Sequence, residues 1–296
     1  MALNEKVAYL IVNADDYGYF GFVSRGILQA FRCGIVTATG IFANSAHFDK
    51  HVAWLADYPE LDLGVHLNLT AGAPLTERMK GKLAHCGEQF PGKYAVAKAV
   101  LNGSISLEDI AQEWRAQIDR CLAQGLQLRF LNSHEHIHML PPLFRLVQAL
   151  ASEYAISHVR FATPEVPRSA APGAMIRDAA MLLMGAYDHR RRLAPAAEFI
   201  GMGMSGRLDL GYLERKLAML KPGRIYELMC HPGLKHNGEV LDGRLLRYHD
   251  WSGELASLTD PAVREALRRN GVRLVGYRHV DIADGRLLIR DGGVSQ

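Results

Sequence analysis

Short apolar runs alternate with amphipathic stretches along nearly the whole chain, and almost every apolar run stops in a cluster of polar side chains. Lys6–Val12 reads as a short buried strand that halts at Asn13-Ala14-Asp15-Asp16. Phe22–Cys33 reads as a helix closed by Gly34 as its C′ glycine. Ile35–Asn44 reads as the next strand, and Phe48–Ala56 as a helix before Tyr58-Pro59. Leu61–Leu69 alternates strictly: Leu61, Leu63, Val65, Leu67 and Leu69 share one face, and Asp62, Gly64, His66 and Asn68 the other. Ser106–Gln124 predicts a long helix with Ser106 as N-cap, Gln127–His138 a strand and its exit, and Leu143–Tyr154 a helix after Pro-Pro. Ile225–Cys230 predicts a strand, Ala262–Asn270 a helix and Arg273–Val280 a last strand.

Such alternation argues for a parallel sheet covered by helices. The 296 residues suit an α/β single-domain (β/α) barrel spanning 1–296, irregular or with fewer than eight regular units, because only six or seven strands stand out. Two stretches interrupt the pattern and read as rim loops or insertions: 71–104, rich in Gly and Pro, and the apolar, Met-rich 163–206.

Composition closes several alternatives. With 34 Lys plus Arg against 31 Asp plus Glu, the net charge of +3 is too small to make nucleic acid the expected partner. Hydrophobic residues at 49% exclude a disordered chain. No run approaches the ~20 apolar residues of a spanning helix, and Val7–Val12 is too short for a signal-peptide core. Cys33, Cys86, Cys121 and Cys230 are scattered and form no C-x-x-C pair, which fits reduced thiols in the cytoplasm. The glycines around Gly201-Met202-Gly203 do not match a dinucleotide fingerprint, since no strand is expected before them.

Four clusters at expected strand ends carry the chemistry. In Asn13-Ala14-Asp15-Asp16-Tyr17-Gly18, adjacent carboxylates repel unless a cation separates their roles, one Asp ligating and the other free to take a proton; an N-cap pair is the alternative. His66 and Asn68 occupy the polar face of their strand, aimed at the barrel mouth or serving as hydrogen-bonded structural residues. In Asn132-Ser133-His134-Glu135-His136-Ile137-His138, an extended chain puts His134, His136 and His138 on one face, an arrangement costly to bury without a metal, a carboxylate or water. Glu227, Met229 and His231 share a face before Pro232-Gly233, which places His231 at the same rim as a proton donor or as a backbone-bonded core residue. Imidazole and carboxylate together suit a catalytic divalent metal, zinc by softness and geometry, with magnesium as the alternative. His47, His51, His85, His158, His189, His236, His249 and His279 show no partner pattern and read as surface or structural.

These clusters, with Gly34-Ile35-Val36-Thr37-Ala38-Thr39 and Met229-Cys230-His231-Pro232, resemble the YdjC-like carbohydrate deacetylases, in the family's order and over most of the chain. The resemblance implies a (β/α) barrel and a divalent metal held by Asp16, His66 and His134, with Asp15 as general base and His231 as the acid. Where many members have Asp-Ser-His-His-x-His, this chain has Asn132 and Glu135 in place of the Asp and the second His. Candidate substrate contacts are Tyr17, Asn44, Asn68, His136, His138, Met184 and Met202. The expected substrate is an N-acetylglucosamine-containing compound. The apolar residues Ala170 to Met184 and the basic His189-Arg190-Arg191-Arg192 favour a lipid-linked sugar met at a membrane's inner face, as in the hopanoid-biosynthesis branch the chain resembles most. The alternatives are a soluble chito-oligosaccharide deacetylase and a non-catalytic sugar- or lipid-binding protein. The resemblance also makes a homodimer plausible.

Overall fold

All ten residues of the first strand, β1 (Ala8–Tyr17), are buried, and the rest of the architecture is built around it. The computed structural model describes residues 3–4, 6–163, 165, 195–240 and 242–290. In chain order the further strands are β2 (Ala38–Ile41), β3 (Asp62–Leu67), β4 (Leu128–Ser133), β5 (His158–Val159), β6 (Glu198–Ile200), β7 (Ile225–Cys230), β8 (Val272–Leu274), β9 (Val280–Ala283) and β10 (Arg286–Ile289). The main sheet runs β5-β4-β3-β2-β1-β7-β6, with β8 also paired to β1, and every pairing in it is parallel. It curls as an open (β/α) barrel, an α/β fold as the alternation predicts.

Period-two alternation divides the core in two. Leu10, Val12 and Ala14 of β1, with Val65 and Leu67 of β3, belong to the large cluster formed with the helices. Tyr9 and Ile11, with Phe130, Ile225 and Tyr277, form a smaller cluster inside the curl. The antiparallel β9–β10 hairpin contributes Val280 and Ile289 to that inner cluster, where Tyr277 stacks on Phe130 with ring centroids 4.3 Å apart. The inside is therefore apolar at the strands' N-terminal ends, and its polar residues gather at the opposite rim. Sequence reading expects one strand over Arg273–Val280; the chain instead makes a three-residue strand, a 3-10 turn and this hairpin.

Other boundaries also differ from expectation. The Ile35–Asn44 strand contracts to four residues. Residues 71–104 are no plain loop but carry helices Glu77–Lys82 and Lys93–Leu101. Gly34 is not left-handed (φ −118°); a side chain there would meet the carbonyl oxygens of Leu258 and Ala30 at 2.5 and 2.6 Å, so close packing is what demands glycine. A short strand, β6, does precede Gly201, but a single 3-10 turn follows it, so no phosphate-binding helix start forms. Ser106 caps the helix Leu107–Leu122 in a capping box with Asp109.

Among the described residues no helix is long and apolar enough to cross a membrane. Of the apolar segment 163–206, residues 166–194 lie outside the described residues, Met184 and the His189–Arg192 run with them.

Candidate active site and metal centre

Adjacent residues of a strand normally point to opposite faces, yet Asp15 and Asp16 reach the same rim. The backbone makes this happen. The register of β1 against β2 slips between Ala14 and Tyr17, and Asp16 sits at φ 71°, in the left-handed region. Asp15 continues the inward series of Tyr9, Ile11 and Asn13, and the slip turns Asp16 back toward it. The same slip sends Tyr17 outward: it is fully buried in the helix-side core and its hydroxyl donates to the His51 carbonyl at 2.6 Å. Tyr17 is thus a packing residue, not the substrate contact expected.

Three ligand-type atoms converge at this rim. Asp16 Oδ1 lies 2.9 Å from His134 Nδ1 and 3.2 Å from His66 Nε2. A tetrahedral zinc site with metal–nitrogen bonds of about 2.0–2.1 Å needs donors roughly 3.3 Å apart, close to these two distances, and the three atoms all lie within 4.8 Å of one another. The proton inventory fits as well. Asn132 donates from Nδ2 to Asp15 Oδ1 (2.9 Å), which leaves its Oδ1 to accept from His66 Nδ1 (2.8 Å). Neutral His66 then carries its hydrogen on Nδ1, and the Nε2 lone pair faces a carboxylate oxygen. Two acceptors at that distance call for a proton or a cation between them. Asp16, His66 and His134 are the group of the described residues suited to hold one.

Gly40 makes room for this pair: a Cβ there would stand 3.0 Å from Asn132 Oδ1 and 3.1 Å from His66 Cβ. Phe42 and Tyr19 wall the other side, with Phe42 edge-on to His134 at 5.1 Å and stacked on Tyr19 at 4.7 Å.

Asp15 is held differently. Arg160, just past β5 and fully buried, donates from Nη1 to Asp15 Oδ2 (2.6 Å), from Nη2 to Oδ1 (2.9 Å) and from Nε to Glu227 Oε1 (2.6 Å). Burial alone would raise the Asp15 carboxyl, but the Arg160 guanidinium and then His66 more than offset it, and the net direction is downward. Asp16 likewise stays well below the carboxylate range because His134 and His66 outweigh burial, and His134 is raised in return by Asp16. Of the roughly four acceptor positions of the Asp15 carboxylate, three are filled, and one on Oδ2 remains.

His231 follows β7, whose Cys230 is in register with Ala14, so His231 stands beside Asp15 across the strand pair. Its backbone N–H donates to Glu254 Oε2 (2.5 Å), and its Nδ1 is buried without a partner among the described residues. Burial lowers its pKa, with Asp16 and Asp15 pulling the other way.

The remaining expected contacts sort by backbone geometry. β4 ends at Ser133, and residues His134–Met139 form a 3-10 turn in which Glu135 and His136 are left-handed (φ 52° and 54°). The three histidines therefore do not share a face. His134 turns to Asp16. His138 is fully buried, paired through Nδ1 with the Ser133 hydroxyl (2.5 Å) and through Nε2 with the Arg160 carbonyl (3.0 Å). His136 packs edge-on to Phe199 at 5.8 Å. Asn44 and Asn68 bond each other (2.9 Å) and the carbonyls of Ala71 and Ala73, fixing the loop after β3. Met202 is buried in the core. None of Asn44, Asn68, His138 and Met202 presents a free polar group or open face of the kind a substrate contact needs. Glu135 is engaged by Lys93 at 2.9 Å.

Sequence reasoning missed Arg160, Glu254 and the partnership of Asn132. Arg160 left a signal: it is a lone cation in the apolar stretch Ile156–Ala162, and such a charge is buried only against carboxylates. His249, expected to be surface or structural, lies with its ring 5.0 Å from that of His231.

Comparison with known proteins finds likenesses over most of the chain. A family model described as YdjC-like protein matches residues 9–269. A carbohydrate deacetylase of Geobacillus stearothermophilus is 31% identical over 280 residues, covering 91% of this chain and 97% of its own. A chitooligosaccharide deacetylase of Klebsiella pneumoniae (strain 342) is 35% identical over 275 residues, covering 92% and 98%. Among solved structures, a chain of Enterococcus faecalis V583, described as a candidate cellobiose-phosphate cleavage protein, superposes with TM-score 0.73 at 23% identity. It covers 92% of this chain and 98% of its own, and shares the fold.

Proposed function

Because the chain belongs to the YdjC-like family, we propose that it is a metal-dependent deacetylase, one that hydrolyses the N-acetyl group of an amino sugar to acetate and the free amine. The observation that carries this reading is the junction of two differently held carboxylates. Asp16 belongs to a two-histidine ligand set, while its neighbour Asp15 is excluded from that set and clamped by Arg160.

Asp16, His66 and His134 would hold the metal; zinc suits the ligand types, with magnesium the alternative. When bound, a divalent cation there polarises the acetyl carbonyl and acidifies a water. Asp15 accepts the proton of the attacking water at its remaining Oδ2 position. Arg160 keeps that carboxylate ionised and fixed in direction, so the base is weak but always available. His231, on the neighbouring strand, gives a proton to the departing nitrogen. Its lowered pKa makes it a stronger acid once protonated and leaves fewer molecules protonated as pH rises. Asn132 fixes the His66 tautomer and couples it to the base through one amide.

For the group that carries the sugar, the apolar residues between Ala170 and Met184 support a lipid-type aglycone such as a hopanoid, reached by peripheral contact with the inner face of a membrane. The Klebsiella relative's activity supports a free chito-oligosaccharide instead. Acetate release, with zinc or magnesium added, is the test, from diacetylchitobiose beside an N-acetylglucosaminyl hopanoid. Release from either, abolished in Asp15→Asn, upholds the deacetylase reading, and the preferred substrate selects the aglycone. No release from any N-acetylated sugar, with Asp15→Asn indistinguishable from the parent, overturns it.

A further inference from the structure

Glu254 is a buried carboxyl group with no cation paired to it among the described residues. Its two oxygens accept backbone N–H groups instead, Oε2 from His231 at 2.5 Å and Oε1 from Leu208 at 3.3 Å. Burial carries the group up to about 8. Holding an acid in this way costs stability, and an amide side chain would occupy the same helix position at less cost. A buried acid of this kind, in direct contact with a residue of the site, points to a role in the site.

What Glu254 holds is the point where the sheet lets go. The pairing of β7 with β1 ends at Cys230, opposite Ala14, and that of β7 with β6 ends earlier, at Leu228. His231 is therefore the first residue beyond the ladder, and Pro232 after it has no N–H to give. The chain past that point is caught bond by bond. Gly233 N–H donates to the Trp251 carbonyl and Leu234 N–H to the Phe22 carbonyl, both at 3.0 Å. Those two are received by main chain, whereas the His231 N–H is received by a side chain, which a substitution can remove.

The helix that carries Glu254, Trp251–Thr259, also backs the His231 ring. Trp251 stacks on His249 with centroids 4.8 Å apart and planes at 12°, and His249 meets the His231 ring edge-on at 5.0 Å. Burial takes the His249 imidazole down to about 3, so the ring behind His231 is neutral and does not repel a proton placed there. One turn of helix thus sets His231 twice, its main chain through Glu254 and its imidazole through Trp251 and His249. Such double support matters for a proton donor, because a displacement of about 1 Å can cost on the order of 100-fold in rate.

We propose that Glu254 is a positioning residue of the reaction: by taking the His231 N–H it fixes where the proton donor stands at the rim. This rests on the deacetylase reading above, with His231 as the acid. The test is kcat and KM for acetate release from diacetylchitobiose by the zinc-loaded protein, with zinc affinity titrated separately on the metal-free protein. Glu254→Leu removes both acceptors at similar volume. Its kcat should fall about 10–100-fold with KM within about threefold, and its zinc affinity should match the parent's. Glu254→Gln keeps one oxygen for the His231 N–H and should recover most of that loss. His231→Gln should lower kcat about 100-fold or more. Adding Glu254→Leu to it should lower kcat no further, because the two act through one group. Should Glu254→Leu melt too low to assay, Glu254→Asp, which draws the carboxylate back by one methylene, must show the same pattern. An unchanged kcat in Glu254→Leu overturns the proposal, as does a loss that multiplies with His231→Gln or follows a loss of zinc. A parent that releases no acetate from any N-acetylated sugar takes down the deacetylase reading itself. An active parent indifferent to Glu254 takes down the positioning alone.

Discussion

Arg160 meets Asp15 as a two-point fork, Nη1 on Oδ2 and Nη2 on Oδ1, and turns its Nε to Glu227. One buried cation therefore serves two buried carboxylates, and all three lie at the inner face of the curl. Such a group is hard to dismantle, because removing the cation leaves two uncompensated charges. Arg160→Met should cost about 3–5 kcal/mol of unfolding free energy, measured by urea titration. Any activity left should have its acid limb at higher pH, since the guanidinium that offsets burial at Asp15 is gone. A variant as stable as the parent with an unmoved acid limb would refute the clamp.

In the proposed site, Asn132 would act on a bound metal through His66. Asn132→Leu removes the acceptor that keeps hydrogen on His66 Nδ1, so either tautomer becomes available. Affinity for zinc or magnesium should fall about 10–100-fold, read by titrating the metal-free protein. Unchanged affinity would mean that the ligand orientation is set elsewhere.

Glu254 gives a pH signature of stability. Burial carries its carboxyl from 4.5 up to about 8, against the pull of the two backbone N–H groups it accepts. The folded protein thus holds this proton more tightly than the unfolded chain. Stability from this group is present below the unfolded value and is lost as pH rises through the window to about 8, by up to about 1.4 kcal/mol per pH unit. Glu254→Gln lacks the titrating group, so its stability relative to the parent should improve steadily between pH 5 and pH 8, the window that shift sets. Denaturant midpoints that track each other across that range would contradict it.

Tyr17→Phe separates packing from substrate contact. Losing the bond to the His51 carbonyl should cost about 1 kcal/mol and leave KM for the N-acetylated sugar unaltered. A raised KM at unchanged stability would restore Tyr17 to the binding surface.

Much of this is legible in the sequence. The β7 strand lies where its apolar run and the following Pro-Gly place it, and the two faces of Leu61–Leu69 divide between helices and inner rim as the alternation requires. Asp16, His66 and His134 come together, as the resemblance implied. Failures occurred where backbone geometry departs from period two. An extended 134–138 would put three imidazoles on one face, whereas two consecutive left-handed residues scatter them. Glycines and prolines in 71–104 suggested a loop, yet Thr76 caps one of two short helices there. The meetings of Arg160 with Asp15 and of His249 with His231 are not legible in the sequence, because the partners are 145 and 18 positions apart and no local pattern announces them.

The left-handed backbone at Asp16 means that this position does two separable jobs, one through its carboxylate and one through its shape. An alanine there gives up the ligand and keeps the conformational penalty, while a glycine gives up the ligand and is at ease in the same turn. The two replacements should be equally inert toward metal, yet the glycine form should fold more stably, by about 1 kcal/mol. What looks in the sequence like a repeated letter, Asp-Asp, is one ordinary residue beside one held in place at a cost, and the cost is what brings two neighbours on a strand to the same rim.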